Sequence, residues 1–190
     1  HDESSHVIFG INNCQSQSYK RNETVQNLPA VKDECATKEN IIQLVSFELG
    51  GEEYGVDVLS VREIIRMATI TKMPNTEDYV DGIINLRGTV VPIISLRKRF
   101  GLCESEQDHN SRILVMEVGD GMTGFVVDGV SEVIRIHSSE IQPPPSLILS
   151  GGLSNEFITG VFNHGERMLI IIDLGRMFSC EEQEYLNSIQ

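Results

Sequence analysis

The chain has 190 residues, and its 28 acidic side chains against 15 Lys and Arg give a formal net charge of −13. That balance argues against nucleic acid or an anionic membrane as the main partner and favours a soluble protein. No apolar run reaches the roughly 18 residues a membrane span needs, no charged segment followed by an apolar stretch opens the chain as a secretory signal, and Cys14, Cys35, Cys103 and Cys180 form no CxxC pair. Free thiols in a reducing cytoplasm are the expectation.

Residues 1–40 are rich in Asn, Gln, Ser, Glu and Lys, and their apolar residues are scattered apart from Val7-Ile8-Phe9. Such a composition buries too little apolar surface to offset chain entropy, so it reads as a flexible tail. The folded domain is expected over 41–190. A strand is predicted at 42–49, where Ile42, Leu44, Phe47 and Leu49 carry the apolar pattern, with a turn at 50–53 and a returning strand at 54–58. Residues 59–67 fit a helical turn or a bent strand equally well. A short strand is expected at 70–73 and a loop at 74–78.

The stretch 82–100 is the most informative. Two apolar runs, 83–86 and 90–94, flank Arg87 and Gly88, and Gly88 can take a positive φ without steric cost, so a hairpin is predicted. Pro92 cannot donate to a ladder, which predicts an edge strand or a bulge there. Ser95 is placed to cap a short helix at 96–100 that stops at Gly101. After a polar linker at 103–111 come strands at 113–118, 125–130 and 133–136, an insertion at 140–152 containing Pro143-Pro144-Pro145, and a last hairpin from 157–162 and 168–172. Ser179 and Glu182 have capping-box spacing, so a final helix is expected to run to about Ile189.

The chain also repeats itself. A shift of 78 lays Gly82 on Gly160, Asn85 on Asn163, Ile93-Ile94 on Ile171-Ile172, Leu96 on Leu174 and Phe100 on Phe178. A shift of 69 lays Gly50 on Gly119, Gly55 on Gly124, Val61 on Val130, Glu63 on Glu132 and Arg66 on Arg135. Two similar halves built of short, closely spaced strands predict an all-β fold of two small barrel-like lobes side by side, with short helices between and a helix at the C-terminus.

Chemistry is sparse. Residues 119–124 match GxGxxG, but a dinucleotide site needs those glycines to open a helix, and Phe125-Val126-Val127 reads as a strand. A hairpin turn without nucleotide binding is expected. GxSxG, HExxH and GxxxxGK are absent, and the five histidines are scattered. No catalytic group, cofactor or metal is expected, and an enzyme with an unrecognised site is the rival class. Arg97-Lys98-Arg99 reads either as a helix face pairing with acidic turns or as a docking patch. For Arg87, the residues leave two roles open: partner to a buried carboxylate or contact for another protein.

Asn85-Leu86-Arg87-Gly88, followed by Val90-Val91-Pro92-Ile93-Ile94 and Leu96-Arg97, resembles the signature of the CheW-like coupling proteins of bacterial chemotaxis; 50–57, 127–132 and 165–172 fit the same pattern. The resemblance covers about 41–189. It implies two five-stranded, SH3-like barrels around a shared core. It further implies a non-catalytic cytoplasmic adaptor recruited to membrane-associated receptor arrays, linking the cytoplasmic tips of methyl-accepting chemoreceptors to the regulatory domain of the histidine kinase CheA. In that family a groove between the lobes receives the receptor's helical hairpin tip. Carried over, the partner-binding positions are Val61, Glu63, Gly82, Asn85, Arg87, Gly88 and Val90, with Arg87 and Glu63 foremost. Ser95 departs from the family's usual Asp or Asn. A CheW-like regulatory domain cut from a longer chemotaxis protein is the alternative.

Overall fold

A computed structural model describes residues 40–144 and 155–189. The tail expected over 1–40, Asn40 excepted, and the expected insertion beyond Pro144 lie outside the described residues. The strands are β1 (Ile41–Leu49), β2 (Glu52–Asp57), β3 (Val61–Arg66), β4 (Val80–Leu86), β5 (Thr89–Ser95), β6 (Arg112–Val118), β7 (Gly121–Val127), β8 (Gly129–His137), β9 (Ile158–His164) and β10 (Arg167–Ile172). Helix α1 is Leu96–Arg99 and helix α2 is Cys180–Ser188.

The strands form two five-stranded sheets, ordered β8-β1-β2-β10-β9 and β3-β6-β7-β5-β4. This is the expected two-lobed all-β architecture, but the halves of the chain are not the lobes. Each half lends its opening hairpin to the sheet completed by the last three strands of the other half. The exchange occurs twice with one register. Ile93 pairs with Gly124 in the parallel β5–β7 contact, and their repeat equivalents Ile171 and Gly55 pair in β10–β2. Val61 lies opposite Met116, as Val130 lies opposite Phe47.

Burial follows from that arrangement. Leu44, Ile134, Ile136, Leu169 and Ile171 cluster within one sheet, and Ile84, Val91, Ile93, Ile113 and Val115 within the other. A third and larger cluster takes Val45, Phe47 and Leu49 from the first sheet with Leu114, Met116 and Phe125 from the second, and Leu186 of α2 closes onto it. Strands such as β6 therefore bury both faces, which explains the unbroken run Ile113-Leu114-Val115-Met116.

Three local expectations change. The ambiguous 59–67 becomes a 3-10 turn, Val58–Ser60, followed by β3; Asp57 accepts the Leu59 N–H at 2.9 Å and starts the turn. The strand expected at 70–73 is a single bridge, Thr71 to Ile83. β5 is an inner strand rather than an edge; the β4–β5 ladder does shift register, but between Val80 and Gly82 opposite Ile94 and Ile93, one residue beyond Pro92, which is accommodated because pairing with β7 begins only at Ile93. Ser95 does cap α1, accepting the Lys98 N–H, and Ser179 and Glu182 form the capping box of α2.

Candidate functional site

The β4–β5 hairpin turns on two residues with φ of 53° at Arg87 and 92° at Gly88. Positive φ at both positions gives the turn a twist that matches the flanking strands. The Asn85 side-chain oxygen fixes it by accepting the Gly88 N–H at 2.7 Å. At the equivalent tip between β9 and β10, the residue matching Arg87 is Gly165, with φ of 65°. An arginine held in the left-handed region costs on the order of 1–2 kcal/mol that a glycine avoids. Turn formation alone would favour glycine at position 87.

From that tip the Arg87 guanidinium reaches Glu63 on β3, Nη2 to Oε1 at 2.7 Å. β3 and β4 are the two end strands of their sheet, so the pair spans its open side. Arg87 is 77% exposed and Glu63 29%. Of the two roles left open by the sequence, pairing with a buried carboxylate does not fit: Arg87 does meet a carboxylate, but at the surface rather than in the core. Such a pair contributes about 0.2–1 kcal/mol.

The other family positions distribute unevenly. Asn85 and Gly88 are exposed, Val90 is half-buried opposite Asn85, and Val61 is half-buried two residues from Glu63. These six residues belong to one hairpin and the facing end strand. Gly82 is different: it is buried, and a Cβ there would lie 2.2 Å from the Thr71 carbonyl oxygen. Its need for glycine comes from packing inside the lobe.

The resemblance implies a groove between the lobes but assigns no residues to it. A cavity of about 320 Å³ opens among Ile42, Leu44, Met116 and Ile171, with Asp57 and Asp173 also lining it. Met116 belongs to one sheet and the other three to its neighbour, so the cavity lies mainly on one lobe, at the edge where the other meets it. Next to its lining residue Ser60 stands Leu59, 84% exposed. The available signal was a mismatch in the repeat: Leu59 falls on Asp128, an apolar residue facing a charged one in a connection between strands.

Residues 43–182 match the family model for the CheW-like domain. This chain belongs to the CheW-like family. It is 39% identical over 147 residues to the chemotaxis protein CheW of Klebsiella aerogenes, covering 77% of this chain and 87% of that protein. With CheW of Treponema pallidum it shares 35% identity over 158 residues, 81% of this chain and 92% of the relative. Among solved structures, the scaffolding protein TtCheW from Thermoanaerobacter tengcongensis superimposes with a TM-score of 0.66 at 38% identity, covering 73% of this chain and 88% of that one. The family is one of chemotaxis scaffold proteins.

Within this CheW-like fold the basic run on α1 is spent on internal pairs. Arg97 grips Asp128 with Nε and Nη2 at 2.7 and 2.6 Å, Lys98 meets Asp81 at 2.9 Å, and Arg99 meets Glu182 at 3.0 Å. Arg99 also lies 4.6 Å over the Tyr79 ring and donates to the Met177 carbonyl at 2.8 Å, which ties α1 to the start of α2. Of the two readings of the run, the helix face paired with acidic residues is the one the contacts fit. The GxGxxG segment spans the β6–β7 turn at Gly119-Asp120 and the first residues of β7, with positive φ at Gly119 and not at Gly121.

Two carboxylates in this network titrate low. Burial alone would raise Asp128, but the bonds from Arg97 and the Gly50 N–H outweigh it and hold the group below the ordinary 3.8. For Glu182, burial is likewise outweighed by the Ser179 N–H, Arg99 and the Tyr79 hydroxyl, leaving it below 4.5. A depressed carboxylate contributes stability that is present above its unfolded pKa and is lost as pH falls through its folded pKa. Asp128→Asn should therefore be less stable than the parent at neutral pH, and the gap should close as pH drops below 3.8. Urea unfolding at several pH values measures this; a gap unchanged at low pH would mean the Asp128 charge contributes nothing.

Proposed function

We propose that this chain is a non-catalytic adaptor coupling the cytoplasmic tips of transmembrane chemoreceptors to the histidine kinase CheA. The observation that carries the reading is the Arg87 hairpin tip. An arginine sits in a left-handed turn where the repeat equivalent is Gly165, and its head is exposed beside Glu63 with Asn85, Gly88, Val90 and Val61 around it. A strained, exposed arginine with little structural work to do is the kind of residue kept for contact with another protein. The likeness to chemotaxis CheW proteins over most of their length supports the same assignment. Gly82 serves this surface indirectly, by holding β4 in place.

On this reading 41–190 is one functional unit whose hairpin surface meets the regulatory domain of the kinase, whose groove takes the receptor tip, and whose location is cytoplasmic at the receptor arrays. The test is reconstitution. Purified chain, CheA and a receptor cytoplasmic fragment are mixed and sedimented, and kinase activity is followed. All three should co-sediment, with kinase activity dependent on the chain. Kinase control that is the same with and without it would reject the adaptor role.

A further inference from the structure

Each sheet has an end at which two of its hairpins turn: β6–β7 and β4–β5 in the second sheet, β1–β2 and β9–β10 in the first. The repeat makes these ends equivalent, yet they differ in charge. In the second sheet Glu117 and Glu63 are each taken by an arginine of the chain, Arg62 and Arg87. The shifts of 69 and 78 lay Glu48 on Glu117 and Glu132 on Glu63, but Ser131 on Arg62 and Gly165 on Arg87. The first sheet therefore keeps both acids and lacks both arginines. It also has a third acid, Glu53, at the place of Met122.

Strand alternation puts the three acids on one face. Glu48 follows Leu44 and Ser46 on β1, and Glu132 precedes Ile134 and Ile136 on β8, where Leu44, Ile134 and Ile136 belong to the apolar cluster within that sheet. Glu53 shares a face of β2 with Gly55, whose added Cβ would touch the Leu169 and Leu44 side chains. The Ser46 hydroxyl donates to the Glu132 carbonyl and accepts its N–H, both at 3.3 Å, which sets Glu132 next to Glu48. Glu48 lies directly opposite Glu53, Glu53 pairs with Leu169, and Leu169 with Phe162. Phe162 in turn stacks on His164 at 6.2 Å. Like charges directly opposite one another are destabilising. Glu53 is only 9% exposed, and its Oε2 is buried without a hydrogen-bond partner, which costs stability again. Among the described residues Glu48 and Glu132 form no ion pair, and Arg167 at the β9–β10 tip is paired with none of the three acids.

We propose that this end of the first sheet binds the guanidinium of an arginine presented by a partner protein, with Glu48, Glu53 and Glu132 as its acceptors. A guanidinium brings a planar fork of donors to facing carboxylates, and its flat face stacks on an aromatic ring, which Phe162 supplies. The chain meets the same acids at its other end with the same group, in Arg62 and Arg87. Here the cation has to come from outside. The proposal does not rest on the adaptor reading, because none of its three acids belongs to the Arg87 surface.

The experiment titrates the isotope-labelled full chain with acetyl-arginine-amide, acetyl-lysine-amide and acetyl-citrulline-amide, and follows backbone amide shifts by NMR. Saturable shifts on β1, β2 and β8 are expected with the arginine probe. The lysine probe should bind more weakly, and the citrulline probe, which keeps the shape and loses the charge, should not bind. Glu53→Met, which installs the residue of the other sheet, should lose about tenfold or more in affinity for the arginine probe. The same variant should melt at a higher temperature than the parent, because it removes a buried acceptor that has no donor. Should Glu53→Met not fold, Glu48→Gln at an exposed position is expected to show the same loss of binding. Glu117→Gln, at the other end, should bind the probe like the parent. Parental affinity in a folded Glu53→Met or Glu48→Gln variant overturns the proposal, as does a parent with no saturable shift. Equal binding of the arginine and lysine probes, weakened alike by Glu53→Met and Glu117→Gln, would mean diffuse attraction to an acidic chain and overturns it too.

Discussion

Gly82→Ala is expected to lower stability by about 3 kcal/mol or more, because it forces a side chain onto fixed backbone at a positive φ. For a chain of this size that corresponds to a fall of roughly 6–12 °C in the unfolding midpoint. The φ of 141° is outside what an L-residue adopts readily, and the added Cβ would sit 2.2 Å from the Thr71 carbonyl oxygen and 2.9 Å from Ile70 Cγ2. Thr71 cannot step aside cheaply. Its N–H donates to the Ile83 carbonyl and its carbonyl accepts the Ile83 N–H, both at 2.9 Å. The repeat supplies the control. Gly160 holds the same place on β9, against Ile141 and Gln142, but its φ is not left-handed and its closest contact is the Ile141 side chain. Gly160→Ala should cost less, about 1–2 kcal/mol, since its φ is ordinary and its nearest backbone atom, the Gln142 carbonyl oxygen, would be 3.0 Å from the added Cβ rather than 2.2 Å. Urea unfolding of both variants decides it; equal costs would show that the bridge to Thr71 contributes little. Any loss of coupling in Gly82 variants would then trace to folding rather than to a lost partner contact.

Arg87→Ala should do the reverse: leave the fold nearly unchanged and abolish coupling. The pair with Glu63 is exposed, so its loss should cost about 1 kcal/mol or less. Affinity for the partner at this surface should drop by about 2 kcal/mol, near thirtyfold, as truncation of an interfacial arginine commonly does. Lys at this position keeps the charge but loses the planar fork, and should restore binding only in part. Arg87→Gly separates backbone from side chain. It relieves the left-handed strain and should match or exceed the parent in stability while binding no better than the alanine variant. Unfolding and partner titration on one preparation measure both quantities. An alanine variant that is destabilised by several kcal/mol, or one that binds and activates kinase like the parent, would retire the contact role.

Much of this was legible in the chain itself, because it rests on short-range chemistry. The Arg87-Gly88 turn, the Ser95 and Ser179 caps and the β6–β7 hairpin in place of a nucleotide loop each depend on a few adjacent residues. The family signature lies in one such stretch. Repeat shifts of 78 and 69 likewise reveal two similar units in the sequence. What the chain could not show is which strands pair over long separations. Alternating β-branched residues are equally content in either sheet, so nothing local says that β1–β2 pairs with β8 and β10 rather than with β3 and β5. That Pro92 sits in an inner strand is hidden for the same reason, since its tolerance depends on where β7 begins to pair. Tertiary structure alone brought Glu63 to Arg87 across the sheet and placed Gly82 inside rather than at the surface. It also set Arg97 on Asp128 and left Leu59 exposed. Arg87 and Glu63 are 24 positions apart and Arg97 and Asp128 are 31 apart, separations that periodicity and propensity do not encode.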